Sequence, residues 1–374
     1  MTFKPPSKSL TPRDYLFIAF VVILFSIVSA ALITINFKLK GGGDFYMHWV
    51  ASRGYFFEKE QIDPYGAEIP ARVQALAYGR PIRAGEKPYI LDTPFHLLLF
   101  YYFFGAFSDP LMARAIYAWL LELTLIPLAL ISLRLTDWEV PLTFGALFAA
   151  LGIFNFYSIQ ALYESSPVLL LGLLYVGILF SLRFEMDEVA GALLAAACYR
   201  WEVGAPFLFL IALRAYREKR KGVLYGFLML AFVSLAVSFL IYANWLIPFL
   251  RATTNNLRAD FGYNARLILR DIFPAQGNLI AWALIIMLVV ALAYEWNIAR
   301  DSDFRRFYWT ACFSIAAAPL LGFRTEMANL AVLIIPLALI FAVAHDRWKK
   351  INHFLTLLLM LFVFLIHFSH SLNY

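Results

Sequence analysis

The sequence predicts an all-α fold: a polytopic transmembrane helical bundle with about 10–11 membrane segments and short interfacial helices in its first outer loop. Composition is the first of three observations behind this. Hydrophobic residues make up 62% of the 374-residue chain and charged residues 15%, against roughly 45–50% and 25% in soluble domains, so polar surface is too scarce for a water-exposed globule. Second, apolar runs of about 18 residues or more, enough to cross about 30 Å of hydrocarbon as helices, recur from end to end. Third, the polar residues collect between those runs. The chain therefore reads as one integral membrane domain, 1–374, without an appended soluble unit.

The expected spans are 14–36, 94–108, 111–134, 140–157, 163–182, 189–215, 222–249, 278–296, 306–322, 327–345 and 351–369. Lys4, Lys8 and Arg13 precede the first of them, but its apolar run from Tyr15 to Phe37 exceeds the roughly 7–15 residues of a signal-peptide core, which makes it a retained span. Short basic clusters, "RAYREKRK" at 214–221, "ARDSDFRR" at 299–306 and "HDRWKK" at 345–350, belong in the cytoplasm by the positive-inside rule. Loops 37–92 and 250–277 and the turn 322–326 then lie on the outer side.

Two spans are ambiguous. Segment 94–108 is short, and 189–215 carries Tyr199, Arg200, Trp201 and Glu202 in its middle, where an unpaired charge costs several kcal/mol in lipid. If both are broken or re-entrant elements lining a cavity, loop 158–166 moves to the outer face.

Cys198 and Cys312, the only cysteines, sit in apolar stretches and make no disulfide framework. The net charge of +6 is dispersed over short loops, a pattern of membrane topology rather than of nucleic-acid binding. P-loop, G-x-G-x-x-G, H-E-x-x-H and Cys/His metal spacings are absent. Neither a cofactor nor a metal is required, although the acidic outer loop could hold a divalent cation.

The stretch "KGGGDFYMHWVASRGYFFEKEQIDPYG", residues 40–66, opens the first extracytoplasmic loop, 37–92. Three glycines let the chain turn as it leaves the first span. Asp44, Phe45, Trp49 and Phe56 then fall at spacings that suit an interfacial helix with an apolar underside. His48 follows Asp44 by one helical turn. Asp44 is either an N-cap or a fixed catalytic carboxylate, and the two readings are compatible. Burial would raise its pKa and nearby cations would lower it; Arg53, Lys59 and Lys87 in the same loop are such cations. In "DPYG" at 63–66, Pro64 sets a turn and leaves Tyr65 to pack or bond.

Elsewhere, Arg324 and Glu326 interrupt an apolar stretch, either as an interhelical salt bridge or as a cavity site in which a guanidinium grips a phosphate. Arg200 and Glu202 are a self-contained pair or an anion site at a helix break. Glu164, Ser165 and Ser166 precede Pro167 and read first as helix-capping residues. Loop 251–273 reads as an interfacial helix or lid whose charges face solvent.

The order of these features, with "TPF" at 93–95, "YESSPVLLLGLL" at 163–174 and "AGALLAAACYRWEVGAPFLFLIAL" at 190–213, resembles the polytopic lipid-linked glycosyltransferases of the C-type (GT-C) fold. It is most similar to glycosyltransferase family 87, the polyprenyl-phosphate-mannose-dependent mannosyltransferases. The resemblance implies a GT-C-like bundle in the plasma membrane with its active site on the extracytoplasmic side. It implies an inverting transfer of a mannose-like hexose from a polyprenyl-phosphate sugar to a hydroxyl of a glycolipid or glycan, with membrane lipids as further partners and no nucleic acid.

By position, the family's catalytic aspartate falls on Asp44, and its Gly-Gln-x-Asn/Ser stretch on Tyr163, Glu164, Ser165 and Ser166. Its Lys-Pro falls on Arg200 and Trp201. Its late Ser-Pro, Trp and His motif meets Pro319, Arg324, Glu326 and Asn329 here. The departures bear on the sugar and the acceptor. The resemblance thus implies Asp44 as catalytic base, with the donor phosphate held by Arg324, Arg200 or a base of the first loop; together with the loop residues read above, the candidates around the donor phosphate and substrates are Arg324, Arg200, Glu326, Glu164, His48, Arg53, Lys87 and Tyr65. A lipid or small-molecule transporter or flippase is the alternative, because it too shows broken helices and buried charge; a scaffold that uses Asp44 only as a cap is another.

Overall fold

The computed structural model describes residues 12–83, 86–258, 262–300, 302–323, 325–347, 354 and 357–362. Helices α1 (Pro12–Lys38), α2 (Gly43–Phe56), α3 (Glu68–Tyr78), α4 (Leu97–Gly105) and α5 (Pro110–Leu135) come first. Then follow α6 (Leu142–Phe154), α7 (Phe156–Tyr163), α8 (Val168–Arg183), α9 (Asp187–Ala197), α10 (Trp201–Arg217) and α11 (Lys221–Ile241). The series closes with α12 (Leu246–Arg258), α13 (Ala265–Ile272), α14 (Gly277–Ala299), α15 (Phe304–Ala317) and α16 (Ile334–Arg347). No strand occurs among the described residues, only an isolated antiparallel bridge between Tyr263 and Thr325. The expected span 351–369 lies largely outside the described residues.

Six helical segments among the described residues are long and apolar enough to cross a membrane, or seven when the bent pair α6 and α7 counts as one; one of the six, 187–217, folds back on itself instead of crossing. The chain is a multi-pass membrane protein of the predicted all-α class.

Contacts at the helix ends show how these elements alternate. At one end Arg214 lies 4.0 Å over the ring of Phe307, Arg305 pairs with Asp346 at 3.4 Å, and Arg183 donates to the Leu135 carbonyl at 3.3 Å. The described parts of all three basic clusters therefore share one end. At the other, the Gly42 N–H donates to the Tyr163 carbonyl at 2.8 Å, and the Tyr55 hydroxyl donates to the Ile241 carbonyl at 2.9 Å.

Segment 187–217 settles one of the two ambiguities. Straight, its 31 residues would separate its ends by about 46 Å, yet Asp187 forms an ion pair with Arg220 at 2.5 Å and Arg220 also donates to the Leu182 carbonyl. The segment is a hairpin, in which α9 runs away from the basic end and α10 returns. Its tip, Cys198–Arg200, is a 3-10 turn, and the helix after it is broken again at Gly204 by φ −150° and ψ 33°. Strands of direction now alternate through α1, α5, α6 with α7, α8, α9, α10, α11, α14, α15 and α16. Loop 158–166 lies at the end opposite the basic clusters, as the broken-helix reading requires.

Segment 94–108 contains only the nine-residue α4, about 14 Å long. It stays at the site end, against α2. Three other expectations shift. The span 222–249 divides into α11 and α12, where Trp245, 2% exposed, is wedged between Phe239 and Phe249. The span 140–157 ends at a 47° bend, where Asn155 caps α7 by accepting from the Ser158 N–H at 2.9 Å. Segment 327–345 begins as a 3-10 helix, Met327–Leu333, before α16.

The first-loop helix α2 is not interfacial. Eleven of its fourteen residues are buried, because aromatic and polar residues alternate around it and every face meets protein. Phe45 stacks on Tyr117 at 5.0 Å and meets Phe104 edge-on, while the Trp49 indole N–H donates to the Phe104 carbonyl at 3.0 Å. This enclosure holds Asp44 rigidly.

A topological test follows. In a background lacking Cys198 and Cys312, a cysteine at exposed Glu185 is expected to react with an impermeant thiol reagent from one side of the membrane only, and a cysteine at exposed Lys59 from the opposite side. Labelling of both from the same side would contradict the hairpin.

Candidate active site

Gly41 and Gly42 adopt φ +106° and +94°, in the left-handed half of the backbone map that only glycine enters freely. Their surroundings are as restrictive as their angles. A Cβ on Gly41 would lie 2.4 Å from the Tyr163 carbonyl oxygen, and one on Gly42 would lie 2.2 Å from Arg114 Cδ. The chain thus turns tightly beneath α7, and the Asp44 N–H donates to the Glu164 carbonyl at 3.2 Å. Gly42 occupies the N-cap position, with Asp44 one residue inside α2. The capping reading of Asp44 gives way, since its side chain caps nothing.

Instead, the Asp44 carboxylate accepts from the Lys87 ammonium, and its second oxygen lies 3.9 Å from the Arg200 guanidinium at the hairpin tip. Lys87 also pairs with Glu326 at 2.8 Å. Arg200 donates to Glu202 at 3.2 Å. Residues 44, 87, 200 and 326 therefore converge from the first loop, the hairpin and the turn before α16. Asp44 is 2% exposed.

Burial by itself disfavours the charged Asp44 carboxylate, but the Lys87 and Arg200 charges outweigh it and hold the pKa down at about 2. Asp44 is ionised at any physiological pH. Burial likewise opposes the charge on Lys87, and Asp44 and Glu326 reverse the effect, raising its pKa. His48 is 2% exposed, and burial lowers its pKa to about 4 against the opposing pull of Asp44, so the imidazole is neutral. Its Nδ1–H donates to the Asp44 carbonyl at 2.9 Å and its ring stacks on Tyr101 at 4.4 Å.

These groups open on a cavity of about 1120 Å³, its open mouth included. Its lining combines the charged Asp44, Lys87, Arg200 and Glu326 and neutral His48 with the apolar side chains of Trp201, Phe249, Leu257 and Phe323. A second cavity, about 1540 Å³ on the same measure, shares Lys87 and Glu326 with the first and is otherwise lined by residues such as Tyr78, Tyr89, Gln160, Glu164 and Tyr263. Glu164 lies in the turn between α7 and α8. Burial, then the neighbouring Asp44, raise its pKa to about 7, with Lys87 opposing.

The structure thus brings together Asp44, His48, Lys87, Arg200 and Glu326, and sets Glu164 on the adjoining cavity. It places two candidates elsewhere. Arg53 donates to the carbonyls of Gly105 and Phe107 at 3.0 and 3.1 Å, tying down the end of α4 and lining neither cavity. Tyr65 also lines neither; its hydroxyl donates to the Thr93 carbonyl at 3.0 Å and so supports the cavity wall from behind. Arg324 lies outside the described residues. No group of three or more His, Cys, Asp or Glu arranged to hold a metal occurs among the described residues.

Thr93, Tyr199, Thr253, Asn256 and Asn329 also line the first cavity; the sequence reading named Tyr199 at the helix break and Asn329 in the late motif without making either a site candidate, and gave Thr253 and Asn256 no role. Thr253 and Asn256 bring α12 into the site, so part of loop 251–273 is wall rather than solvated face. Asn329 carried a signal, being a lone amide inside an apolar run. Thr253 carried none.

No protein-family model and no curated protein sequence matches the chain. Among solved structures it is similar to ArnT from Cupriavidus metallidurans, determined bound to undecaprenyl phosphate, with 17% identity and a TM-score of 0.49 over 91% of this chain. The chain spans 63% of that protein's length.

Proposed function

We propose that the protein is a GT-C-type glycosyltransferase that moves a hexose from a polyprenyl-phosphate sugar to a hydroxyl of a glycolipid or glycan, with inversion. The supporting observation is the buried carboxylate Asp44 between Lys87 and Arg200, on a cavity lined by both charged and large apolar side chains. A lipid phosphate matches that combination, its anion meeting the two cations and its chain the apolar side chains.

In this reading Lys87 and Arg200 take the donor phosphate and neutralise the charge that develops on it as the anomeric C–O bond breaks. Both cations turn part of their attraction from Asp44 to the phosphate, so the proton affinity of the carboxylate rises when donor is bound. Asp44 then accepts the proton of the acceptor hydroxyl as that oxygen bonds to the anomeric carbon, and the bonding pair of the cleaved C–O bond stays on the polyprenyl phosphate. The acceptor is assigned to the second cavity, which shares the Lys87–Glu326 ion pair with the first. Neutral His48 fixes the backbone at Asp44 without adding charge. With the basic loops in the cytoplasm, the site faces the extracytoplasmic side of the plasma membrane, where a nucleotide-independent, lipid-borne donor is available. Mannose is the hexose that the family 87 resemblance favours.

Reconstituted protein given labelled polyprenyl-phosphate mannose and a glycolipid acceptor is expected to form a product with the opposite anomeric configuration. Retention of configuration, or no transfer from any polyprenyl-phosphate hexose by folded protein, would rule the reading out.

A further inference from the structure

Beyond the charged groups, the first cavity is bordered by buried polar atoms that make no hydrogen bond with the protein among the described residues. They are Asp44 Oδ2, Asn329 Oδ1, Thr93 Oγ1 and Thr253 Oγ1. Thr93 is 3% exposed and Asn329 4%. Both are held in place through their backbones: Thr93 by the Tyr65 hydroxyl on its carbonyl, and Asn329 by its own N–H on the Glu326 carbonyl at 3.0 Å. Fixed, buried and unpaired polar atoms of this kind are scarce in folded proteins, because nearly all such groups find a partner.

The types of atom say what the partner is. A carboxylate oxygen and an amide oxygen can only accept, and a threonine hydroxyl can donate or accept. Lys87 and Arg200 are donors and suit a phosphate. A phosphate diester brings acceptors alone, so it leaves Asn329 Oδ1 without a hydrogen-bond donor, whereas Asp44 Oδ2 already has the Arg200 guanidinium 3.9 Å away. The cavity therefore asks for one ligand, or an adjoining pair, that carries an anion and neutral hydroxyl donors side by side. A bare lipid phosphate meets half of that demand, and a phosphosugar meets all of it.

We infer that Asn329 and Thr93 form the subsite that reads the hydroxyls of the transferred sugar, Asn329 accepting from one and Thr93 bonding a second, while Asp44 Oδ2 stays for the acceptor hydroxyl. This rests on the donor reading above and deepens it, making the ligand a neutral, hydroxyl-bearing hexose on a phosphate rather than the lipid phosphate by itself. Asn329 and Thr93 come from segments 236 positions apart and line the same cavity as the phosphate cations. A site built to hydrogen-bond a hydroxyl discriminates strongly against a ligand that lacks it.

The test compares two ligands, polyprenyl phosphate and polyprenyl-phosphate mannose, bound to the full chain in nanodiscs. The wild-type protein is expected to prefer the mannosylated lipid. Thr93→Val and Asn329→Leu are each expected to weaken that ligand by about tenfold, the loss of one buried hydrogen bond, while binding polyprenyl phosphate as before. Thr93→Ser, which keeps the hydroxyl, is expected to retain the preference, and melting temperatures report whether each variant folds. Equal weakening of both ligands, or an unchanged preference in both variants, overturns the subsite. A wild-type protein that binds polyprenyl phosphate but shows no preference for the sugar also overturns it while leaving phosphate recognition standing; failure to bind either lipid removes the donor reading and the subsite with it.

Discussion

Asp44→Asn is expected to lower sugar transfer by about 10²–10⁴-fold, the range associated with loss of a general base, in a protein that still folds. The fold survives because Lys87 keeps Glu326 as a partner at 2.8 Å and because asparagine matches the shape of the carboxyl it replaces. Binding of polyprenyl phosphate is expected to be unchanged or tighter, since Lys87 and Arg200 lose a competing anion. The split between retained binding and lost turnover separates a base from a structural carboxylate. An Asp44→Asn protein that transfers sugar at the wild-type rate would remove Asp44 from the chemistry.

Lys87→Met is expected to be the most damaging change to stability. Lys87 is the only described cation in direct contact with both Asp44 and Glu326, and its side chain is 17% exposed against 2% for that of Asp44. Removing one partner of a buried ion pair leaves the other uncompensated, at a cost of about 3–5 kcal/mol. The melting temperature should fall by several degrees, and phosphate-lipid binding should be lost along with activity. Adding Asp44→Asn should restore much of the melting temperature without restoring binding or transfer. If Lys87→Met melts like the wild type, the buried cluster does not exist as described.

Much of the architecture was legible in the sequence because a bilayer imposes simple constraints. Apolar length reports crossing, and Lys and Arg in short loops report side; the described parts of the three basic clusters do meet at one end through Arg214 on Phe307 and Arg305 on Asp346. Asp44 was legible as well, because a carboxylate behind three glycines is a local feature. The hairpin was only half legible. Charge in the middle of 189–215 announced a break, but the return of α10 to the starting end depends on Asp187 meeting Arg220, a contact that periodicity does not encode.

The sequence by itself determined that this is a helical membrane protein, which end carries the basic loops, and that one acid is fixed at the start of the first loop. Tertiary structure alone decided that Asp44 is ionised, that Lys87 rather than Arg53 is its partner, that Arg200 reaches it from a hairpin tip, and that Asn329 and Thr93 face the same cavity. The physical reason is range. Hydropathy and loop charge act through solvent and lipid on each segment separately, whereas the pKa of a buried carboxylate depends on charges a few ångströms away. Here the links run from Asp44 to Lys87 and on to Glu326, and the second spans 239 positions of sequence.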